Sequence, residues 1–361
     1  MGDGNADRKG VEPFLLETQG SFYVGGRTIE AAGVFDPHRP GASLRDTAGE
    51  RYRVDQLYAR YQIPPNARRL PLVFVHGSTQ NGKSWESTPD GREGFETIFV
   101  RRRFSTYVVD FPRRGKAGYP SFTGKLGELD GGFPLIPDHT ARTGDKWSFT
   151  VWRFGNWPNL HLGTRFPQDP AALDQLFDQI QPDMTDDPVV IADAIAALFD
   201  KIGPAILVTH SQSGLFGWMA AIRSASVKAV IGYEPGGYVF PDDEMPPEPP
   251  VRLGLKLPGY PVTPEEFARL ARIPIRIIYG DHVPKTPNGI PAEDFWHALA
   301  YGPAGGVPFA EKVNARGGRA SFVALPDIGI TGNTHFIIAD TNNVEIADLL
   351  SVYLAEQGLD T

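Results

Sequence analysis

A short apolar run that ends in a serine between small residues constrains this chain more than any other feature. The segment reads Ile206-Leu-Val-Thr-His-Ser-Gln-Ser-Gly214, and a helix-like segment follows it. A strand that turns sharply into a helix and presents one hydroxyl at the tip has the layout of a nucleophile elbow. The usual pattern is G-x-S-x-G, whereas Thr209 and Ser213 stand here in place of both glycines. Ser211 is therefore a candidate nucleophile, the alternative being a serine that only caps the next helix.

Strands and helices alternate on both sides of this unit. Two strand pairs are predicted at Phe14 to Arg27 and Arg51 to Gln62, and later strands at 71–77, 106–110, 205–209, 228–233, 274–279 and 320–325. Helices are predicted at 93–104, 188–202, 213–224 and 293–312, with one more near the end of the chain. Such alternation is typical of an α/β fold with a mostly parallel central sheet and helices on both faces.

Two stretches interrupt the alternation. Residues 111–187 are rich in glycine, proline and aromatic residues, and a second, proline-rich excursion spans 235–272. Long aperiodic stretches of this kind are usually functional or disordered, and the aromatic content favours order. We expect these insertions to form a lid over a core of residues 14–110 and 188–361, with a disordered or tag-like segment at 1–13. The aromatic rings predict an apolar, enclosed pocket, unless they only build the lid's own small core.

Composition narrows the class of protein. The net charge of −8 does not favour nucleic acid as a partner, and no run approaches the roughly 20 apolar residues that span a bilayer. The first residues lack the apolar core of a signal peptide, so we expect a cytoplasmic protein or a mature secreted or periplasmic form. The chain has no cysteine, which excludes disulfides and thiol nucleophiles. Metal-binding motifs are absent too, so no metal or other cofactor is expected.

Catalysis by a serine hydroxyl requires a histidine base and a carboxylate that orients it. His335 follows the last predicted strand and precedes the final helix, which makes it the candidate base. Glu234, at the tip of the strand 228–233, is the preferred acid. Asp281, just after the strand 274–279, remains the alternative.

The developing oxyanion requires backbone N–H donors. The amide after the nucleophile, that of Gln212, is one candidate, and that of Ser78 after the apolar strand 71–77 is the other. Further residues at or near strand ends are candidates for lining the pocket. Those residues are His76 and His282, to which we add Trp152 from the aromatic insertion.

Several motifs together resemble a known family. They are His76-Gly77, Thr88-Pro-Asp-Gly-Arg92, Thr209-His-Ser-Gln-Ser-Gly214, Tyr233-Glu-Pro-Gly236 and Gly332-Asn-Thr-His335. From about residue 14 the chain resembles the α/β-hydrolase fold and, more narrowly, a small subfamily of bacterial esterases whose catalytic acid follows the sixth strand. The resemblance implies a homodimer as well. We interpret Thr88 to Arg92 as a structural turn, with Arg92 paired to a carboxylate.

These observations predict a serine hydrolase that cleaves small apolar carboxylic esters through an acyl-enzyme on Ser211. Alternatives stay open, because the same constellation serves other chemistry on this fold. A hydrolase of lactones, amides or carbon–carbon bonds would have the same residues. A non-hydrolytic isomerase or cyclase, or a binding module, could also reuse the pocket.

Overall fold

An eight-stranded sheet forms the centre of the molecule. A computed structural model describes residues 12–30, 32–38, 48–118, 140–184, 187–247 and 259–361. The predicted segment 1–13 therefore lies almost entirely outside the described residues, as do parts of both insertions. The strands are β1 (Thr18–Glu30), β2 (Arg51–Ile63), β3 (Leu72–Val75), β4 (Thr106–Asp110), β5 (Thr140–Ala141), β6 (Gly155–Asn156), β7 (Asn159–Leu160), β8 (Asp183–Met184), β9 (Ala205–His210), β10 (Val227–Tyr233), β11 (Val239–Pro241), β12 (Tyr260–Val262), β13 (Pro274–Tyr279) and β14 (Arg319–Ala324).

The sheet has the order β1-β2-β4-β3-β9-β10-β13-β14. β2 pairs antiparallel with both β1 and β4, and the remaining neighbours pair in parallel. β3 and β9 are buried along their whole length, as expected for central strands covered on both faces. The register places Tyr233 beside His210 and beside Ile278, so the carboxyl ends of β9, β10 and β13 lie next to one another.

Helices cover the two faces of the sheet. They are α1 (Lys83–Glu86), α2 (Phe95–Arg101), α3 (Asp145–Val151), α4 (Pro170–Asp178), α5 (Pro188–Ile202), α6 (Ser213–Arg223), α7 (Pro264–Leu270), α8 (Pro291–Ala300), α9 (Gly306–Asn314) and α10 (Asn343–Glu356). α5 begins where the sequence predicts, because the Asp187 side chain accepts hydrogen bonds from the amides of Val189 and Val190. In the described ranges, these helices are all too short or too polar to cross a membrane.

Two helix predictions and both strand-pair predictions need correction. Each predicted strand pair is one continuous strand, β1 or β2, and the two strands pair with each other. The single helix expected at 293–312 is two helices, α8 and α9, separated at Gly302 to Gly305. A Cβ on Gly302 or Gly305 would lie within 2.8 Å of the Ala298 carbonyl oxygen, so this tight turn requires glycine. The excursion 235–272 also contains a helix, α7, that the sequence analysis missed. Its capping box of Thr263 and Glu266 was a readable signal.

Each face of the sheet carries its own hydrophobic core. One core joins α5, α6, α7 and α9 to the sheet and includes Ile195, Leu207 and Phe309. The other joins α2 and α10 to the opposite face, where Phe74 stacks on Trp85 with 4.9 Å between the ring centroids. α7 belongs to the first core through Phe267 and Leu270, so this part of the second excursion packs against α6 and α9.

The larger described part of the first insertion, residues 140–184, contains α3, α4 and the four short strands β5 to β8, which lie apart from the main sheet. It is held to the loop that follows the last strand of the sheet. The amide of Arg165 donates to the Gly332 carbonyl at 2.7 Å, and the amide of Thr341 donates to the Arg165 carbonyl at 2.7 Å. These bonds bring the aromatic insertion to the carboxyl ends of the strands.

Candidate active site

Ser211 lies at the turn between β9 and α6 in a left-handed backbone conformation, with φ of 58°. Its carbonyl accepts hydrogen bonds from the amides of Gly214 and Gly236, and its amide donates to the Tyr233 carbonyl. A non-glycine residue with positive φ is uncommon and typical of strained functional turns. The structure thus presents the Ser211 side chain at the tip of a sharp strand-to-helix turn.

The turn forms without the two glycines of the usual pattern. Ser213 is fully buried, and its hydroxyl lies 2.9 Å from the Val75 carbonyl and 3.0 Å from the His210 amide. The close approach occurs one residue later, because a Cβ on Gly214 would lie 2.6 Å from Cβ of Pro235. Glycine is similarly required at position 77, since a Cβ added to Gly77 would lie 2.8 Å from Cβ of Ser211.

The histidine side chain comes from the loop between β14 and α10. Nε2 of His335 lies 2.9 Å from Oγ of Ser211. The loop is held by the buried carboxylate of Asp340, which accepts hydrogen bonds from the Thr334 amide, the Thr334 hydroxyl and the Asn333 side-chain amide. Burial raises the pKa of Asp340 to about 7, against the opposing effect of these donors.

Glu234 completes the hydrogen-bonded chain of side chains. Its Oε2 lies 3.3 Å from Nδ1 of His335, and its Oε1 accepts a hydrogen bond of 2.5 Å from the Gly280 amide. Glu234 is fully buried at the end of β10 and, like Ser211, has positive φ. The two carboxylate oxygens of Asp281 instead accept hydrogen bonds from the amides of His282 and Gly332. Between these two carboxylates, the structure brings Glu234 to His335.

Charge and burial set the protonation states of Glu234 and His335. Burial alone would raise the pKa of Glu234, but the Arg153 guanidinium and His335 lower it below its ordinary value. Burial lowers the pKa of His335, against the hydrogen bond and charge of Glu234, which raise it. An ionised Glu234 and a neutral His335 with its proton on Nδ1 can therefore coexist near neutral pH. In that state Nε2 is free to accept the hydroxyl proton of Ser211.

A cavity of about 450 Å³ opens beside Ser211. The described residues that line it include no Asp, Glu, Lys or Arg. They are Ser78, Thr79, Gln80, Thr143, Trp147, Val151, Trp152, His210, Ser211, Gln212, Gly236, Phe295, Trp296, Leu299, His335 and Phe336. A larger groove of about 880 Å³ lies at the opposite, amino ends of the strands, away from Ser211.

The predicted pocket residues divide into two groups. Trp152 lines the cavity, and so do the predicted oxyanion donors Ser78 and Gln212. His76 and His282 do not line it. The His76 ring stacks on Phe111 at 4.2 Å, and burial lowers the pKa of His76 to about 3. The His282 ring stacks on His161 at 3.9 Å, outside the cavity.

Arg153 is a residue of this site that the sequence analysis missed. Its Nη2 lies 2.6 Å from Oε1 of Glu234, and both side chains are buried. Sequence reasoning offers no local signal for it, because it lies in an aperiodic segment far from Glu234 in the chain. Arg92 lies where the sequence suggests: it pairs with Asp90 at 2.7 Å and donates to the Ala339 carbonyl, next to the histidine loop.

The residues that the structure describes contain no group of three or more His, Cys, Asp or Glu side chains able to hold a metal ion. The arrangement around Ser211 can instead carry out nucleophilic chemistry with side chains alone. It supplies a hydroxyl, an imidazole within reach of it and a buried carboxylate behind the imidazole.

Comparison with known proteins agrees with this architecture. No family profile matches the chain. It is 28% identical over 334 residues to the probable secreted lipase phiG of Fungal sp. (strain ATCC 74256), a match that covers 86% of this chain and 88% of the relative. The solved structure of a bacterial esterase is 29% identical, with a TM-score of 0.72, and covers 96% of this chain and 98% of that chain. The fold prediction is confirmed: the chain has the α/β-hydrolase fold.

Proposed function

We propose that this protein is a serine hydrolase that cleaves carboxylic esters through an acyl-enzyme on Ser211. The observation that carries the proposal is the continuous hydrogen-bonded chain from Ser211 through His335 to Glu234. It lies at the carboxyl ends of the strands, where α/β sheets bind their ligands. The similarity to a bacterial esterase and to a probable secreted lipase supports ester hydrolysis over the other reactions of this fold.

The proposed mechanism assigns a role to each of the three hydrogen-bonded side chains. Oγ of Ser211 attacks the ester carbonyl carbon while Nε2 of His335 takes its proton. Glu234 holds the imidazole through Nδ1 and stabilises the imidazolium that forms. The imidazolium then protonates the leaving alcohol, and a water activated by His335 releases the carboxylic acid from Ser211. The backbone amides of Ser78 and Gln212, which line the cavity, are the proposed donors to the oxyanion.

The cavity supports a small, neutral, apolar ester as the substrate. Seven aromatic and aliphatic side chains from α3, from α8 and from the histidine loop contribute to its wall: Trp147, Val151, Trp152, Phe295, Trp296, Leu299 and Phe336. Moving a charged group into such surroundings without a partner is costly, so a charged acyl chain should be rejected. The second insertion contributes α7 to a core, so the lid that we propose is formed mainly by the first insertion.

Two finer assignments rest on the sequence motifs. The position of Glu234 at the end of β10, the sixth strand of the main sheet in chain order, supports membership of the esterase subfamily with its acid at that place. The resemblance to that subfamily is also the basis for proposing a homodimer, which sedimentation equilibrium of the purified protein would test.

Hydrolysis of p-nitrophenyl butyrate by wild type and Ser211→Ala tests the function. We expect the variant to lose at least about 10³-fold in kcat, because the nucleophile is gone. Ser351→Ala on α10 is the matched control and should keep full activity. A fluorophosphonate probe should label wild type once and leave Ser211→Ala unlabelled. The proposal is wrong if Ser211→Ala retains wild-type turnover. A negatively charged p-nitrophenyl hemisuccinate, which should react at least about tenfold more slowly than the butyrate, tests the substrate class.

A further inference from the structure

We propose that Arg153 is a positioning residue: the first insertion places its guanidinium against Glu234 and thereby keeps Glu234 ionised and His335 neutral. This inference rests on the proposed function, since it gives Arg153 a task in that mechanism. It makes the insertion a part of the catalytic arrangement in addition to a cover over the pocket.

Three contacts hold the Arg153 side chain in place. Nη2 donates to Oε1 of Glu234 at 2.6 Å, and Nε donates to the Asp281 carbonyl at 2.9 Å. The guanidinium carbon lies 4.6 Å from the ring centroid of Trp296, which is within range for a cation–π interaction. Arg153 itself is only 3% exposed and has φ of 59°, so the chain adopts an uncommon conformation at this residue.

The two oxygens of Glu234 have separate partners. Oε2 faces Nδ1 of His335, while Oε1 accepts from Arg153 and from the Gly280 amide. Two donors on Oε1 fix the plane of the carboxylate and leave Oε2 directed at the imidazole. Arg153 is not among the residues that line the cavity, so it acts through Glu234.

The neighbours of Arg153 in the chain bind the same site. The Trp152 carbonyl accepts a hydrogen bond from the His335 amide at 3.0 Å, and the Val151 carbonyl accepts one from the indole N–H of Trp296 at 2.6 Å. The Trp296 ring in turn lies 4.4 Å from the His335 ring. Three consecutive residues at the end of α3 thus hold the backbone of the base, the carboxylate of the acid and the indole ring beside the base.

Arg153 supplies a permanent positive charge near this pair. The titratable groups that interact with Glu234, His335 or Arg153 come from every element around them: His161, His210, Tyr238, Tyr279, Asp281, His282, Tyr301 and Asp340. Burial lowers the pKa of His210 to about 3, and it lowers the pKa values of His161 and His282. His210 is therefore neutral near pH 7, and the lowered pKa values favour the neutral forms of His161 and His282 as well.

The sign of the effect follows from these charges. Arg153 lowers the pKa of Glu234 and also lowers the pKa of His335. Removing its charge raises both pKa values, so the ionised acid and neutral base coexist only at higher pH. The acid limb of the kcat/KM profile should then move toward higher pH.

Arg153→Met tests the proposal, because it keeps much of the side-chain volume and removes the charge. We expect the acid limb of the kcat/KM profile for p-nitrophenyl butyrate to move up by about one pH unit, which lowers kcat/KM about tenfold at pH values below the wild-type limb. Arg153→Lys, which keeps the charge, should return the limb close to its wild-type position. Lys146→Met is the matched control, since it removes an exposed cation from α3 in the same insertion. Lys146 does not line the cavity, and its loss should leave the limb unchanged.

A double-mutant cycle keeps the test decisive if Arg153→Met fails to fold. Arg153→Met leaves Glu234 buried without its cation, whereas Arg153→Met combined with Glu234→Gln removes both charges and should fold. If Arg153 acts through Glu234, adding Arg153→Met to Glu234→Gln should change kcat less than about threefold. An equal loss in both backgrounds would overturn the proposal, as would an acid limb that stays in place in folded Arg153→Met.

An NMR titration of the His335 imidazole separates this inference from the proposed function. The titration needs no ester turnover, so a higher His335 pKa in Arg153→Met would support the electrostatic role even if the assay fails. Conversely, activity that depends on Ser211 together with an unchanged His335 pKa would refute the Arg153 proposal and leave the proposed hydrolase function unaffected.

Discussion

Glu234 and Asp281 are the two candidates for the catalytic acid, and their surroundings differ. Glu234 is fully buried, with one oxygen on the imidazole and the other on Arg153 and Gly280. The carboxylate of Asp281 accepts hydrogen bonds from two backbone amides, that of His282 in its own loop and that of Gly332 in the histidine loop. A group that already satisfies two amides has a structural task, namely holding the turn after β13 against the histidine loop.

Glu234→Gln and Asp281→Asn should therefore have unequal effects on catalysis. The neutral amide that Glu234→Gln introduces cannot stabilise the imidazolium, so we expect kcat/KM to fall by about 10³- to 10⁴-fold. Asp281→Asn should cost less than about tenfold, because only a loop hydrogen bond weakens. Steady-state kinetics on both variants, with circular dichroism to verify folding, measures this difference. Equal losses in the two variants would contradict the assignment of Glu234.

Sequence alone could lead to Ser211, His335 and Glu234, because each follows a strand whose apolar run marks its end. Strand ends converge in a parallel sheet, so position along the chain becomes position in space. Arg153 could not be predicted in this way. It follows a seven-residue helix inside an aperiodic insertion, and its partner is 81 residues away in the chain. Only the docking of that insertion on the strand ends brings the charges together.

The elbow shows how an element can keep its geometry while its motif changes. β9 and α6 must approach β10 closely enough for Ser211 to meet Gly236 and Pro235. In this chain Gly214 and Gly217 allow the approach, since a Cβ on either would lie 2.6–2.7 Å from Pro235 or Thr209. Thr209 and Ser213 can then replace the usual glycines, and the Ser213 hydroxyl ties the turn to β3.

Gly214→Ala in the elbow should lower both the stability and the activity of the protein. The added methyl group would overlap Pro235, next to Glu234, and overpacking of this kind costs about 1–3 kcal/mol. We expect a lower urea midpoint and a fall in kcat, because Pro235 cannot move without moving Glu234. Gly237→Ala is the matched control from the same loop, since its Cβ would meet Leu215 at an ordinary 3.5 Å. Equal midpoints for the two variants would count against this explanation.

At the scale of the whole molecule, only part of the hydrophobic core lies apart from the cavity. Six residues of the first core also line the cavity: Val151, Trp152, Phe295, Trp296, Leu299 and Phe336. α5 belongs to the first core and contributes no residue to the described lining of the cavity. Changes in this helix should therefore act on folding with little effect on the site.

Ile195→Ala tests that separation. Ile195 is completely buried in the first core, so its truncation should lower the free energy of unfolding by about 2–5 kcal/mol. The kcat/KM value of the folded protein at room temperature should stay within about twofold of wild type. Val189→Ala at the exposed start of the same helix should change stability by less than about 0.5 kcal/mol. Urea denaturation and kinetics on the same samples compare the two. A large loss of kcat/KM in folded Ile195→Ala would refute the separation.

The hydrogen bonds between the first insertion and the histidine loop have a consequence for local unfolding. The amides of His335, Arg165 and Thr341 all donate across this contact, so they can exchange with solvent only when the two segments part. Such an opening would also withdraw Arg153 from Glu234. The base, the acid and the residues that cover them therefore belong to one cooperative unit. A molecule whose insertion has detached is inactive until the contact re-forms.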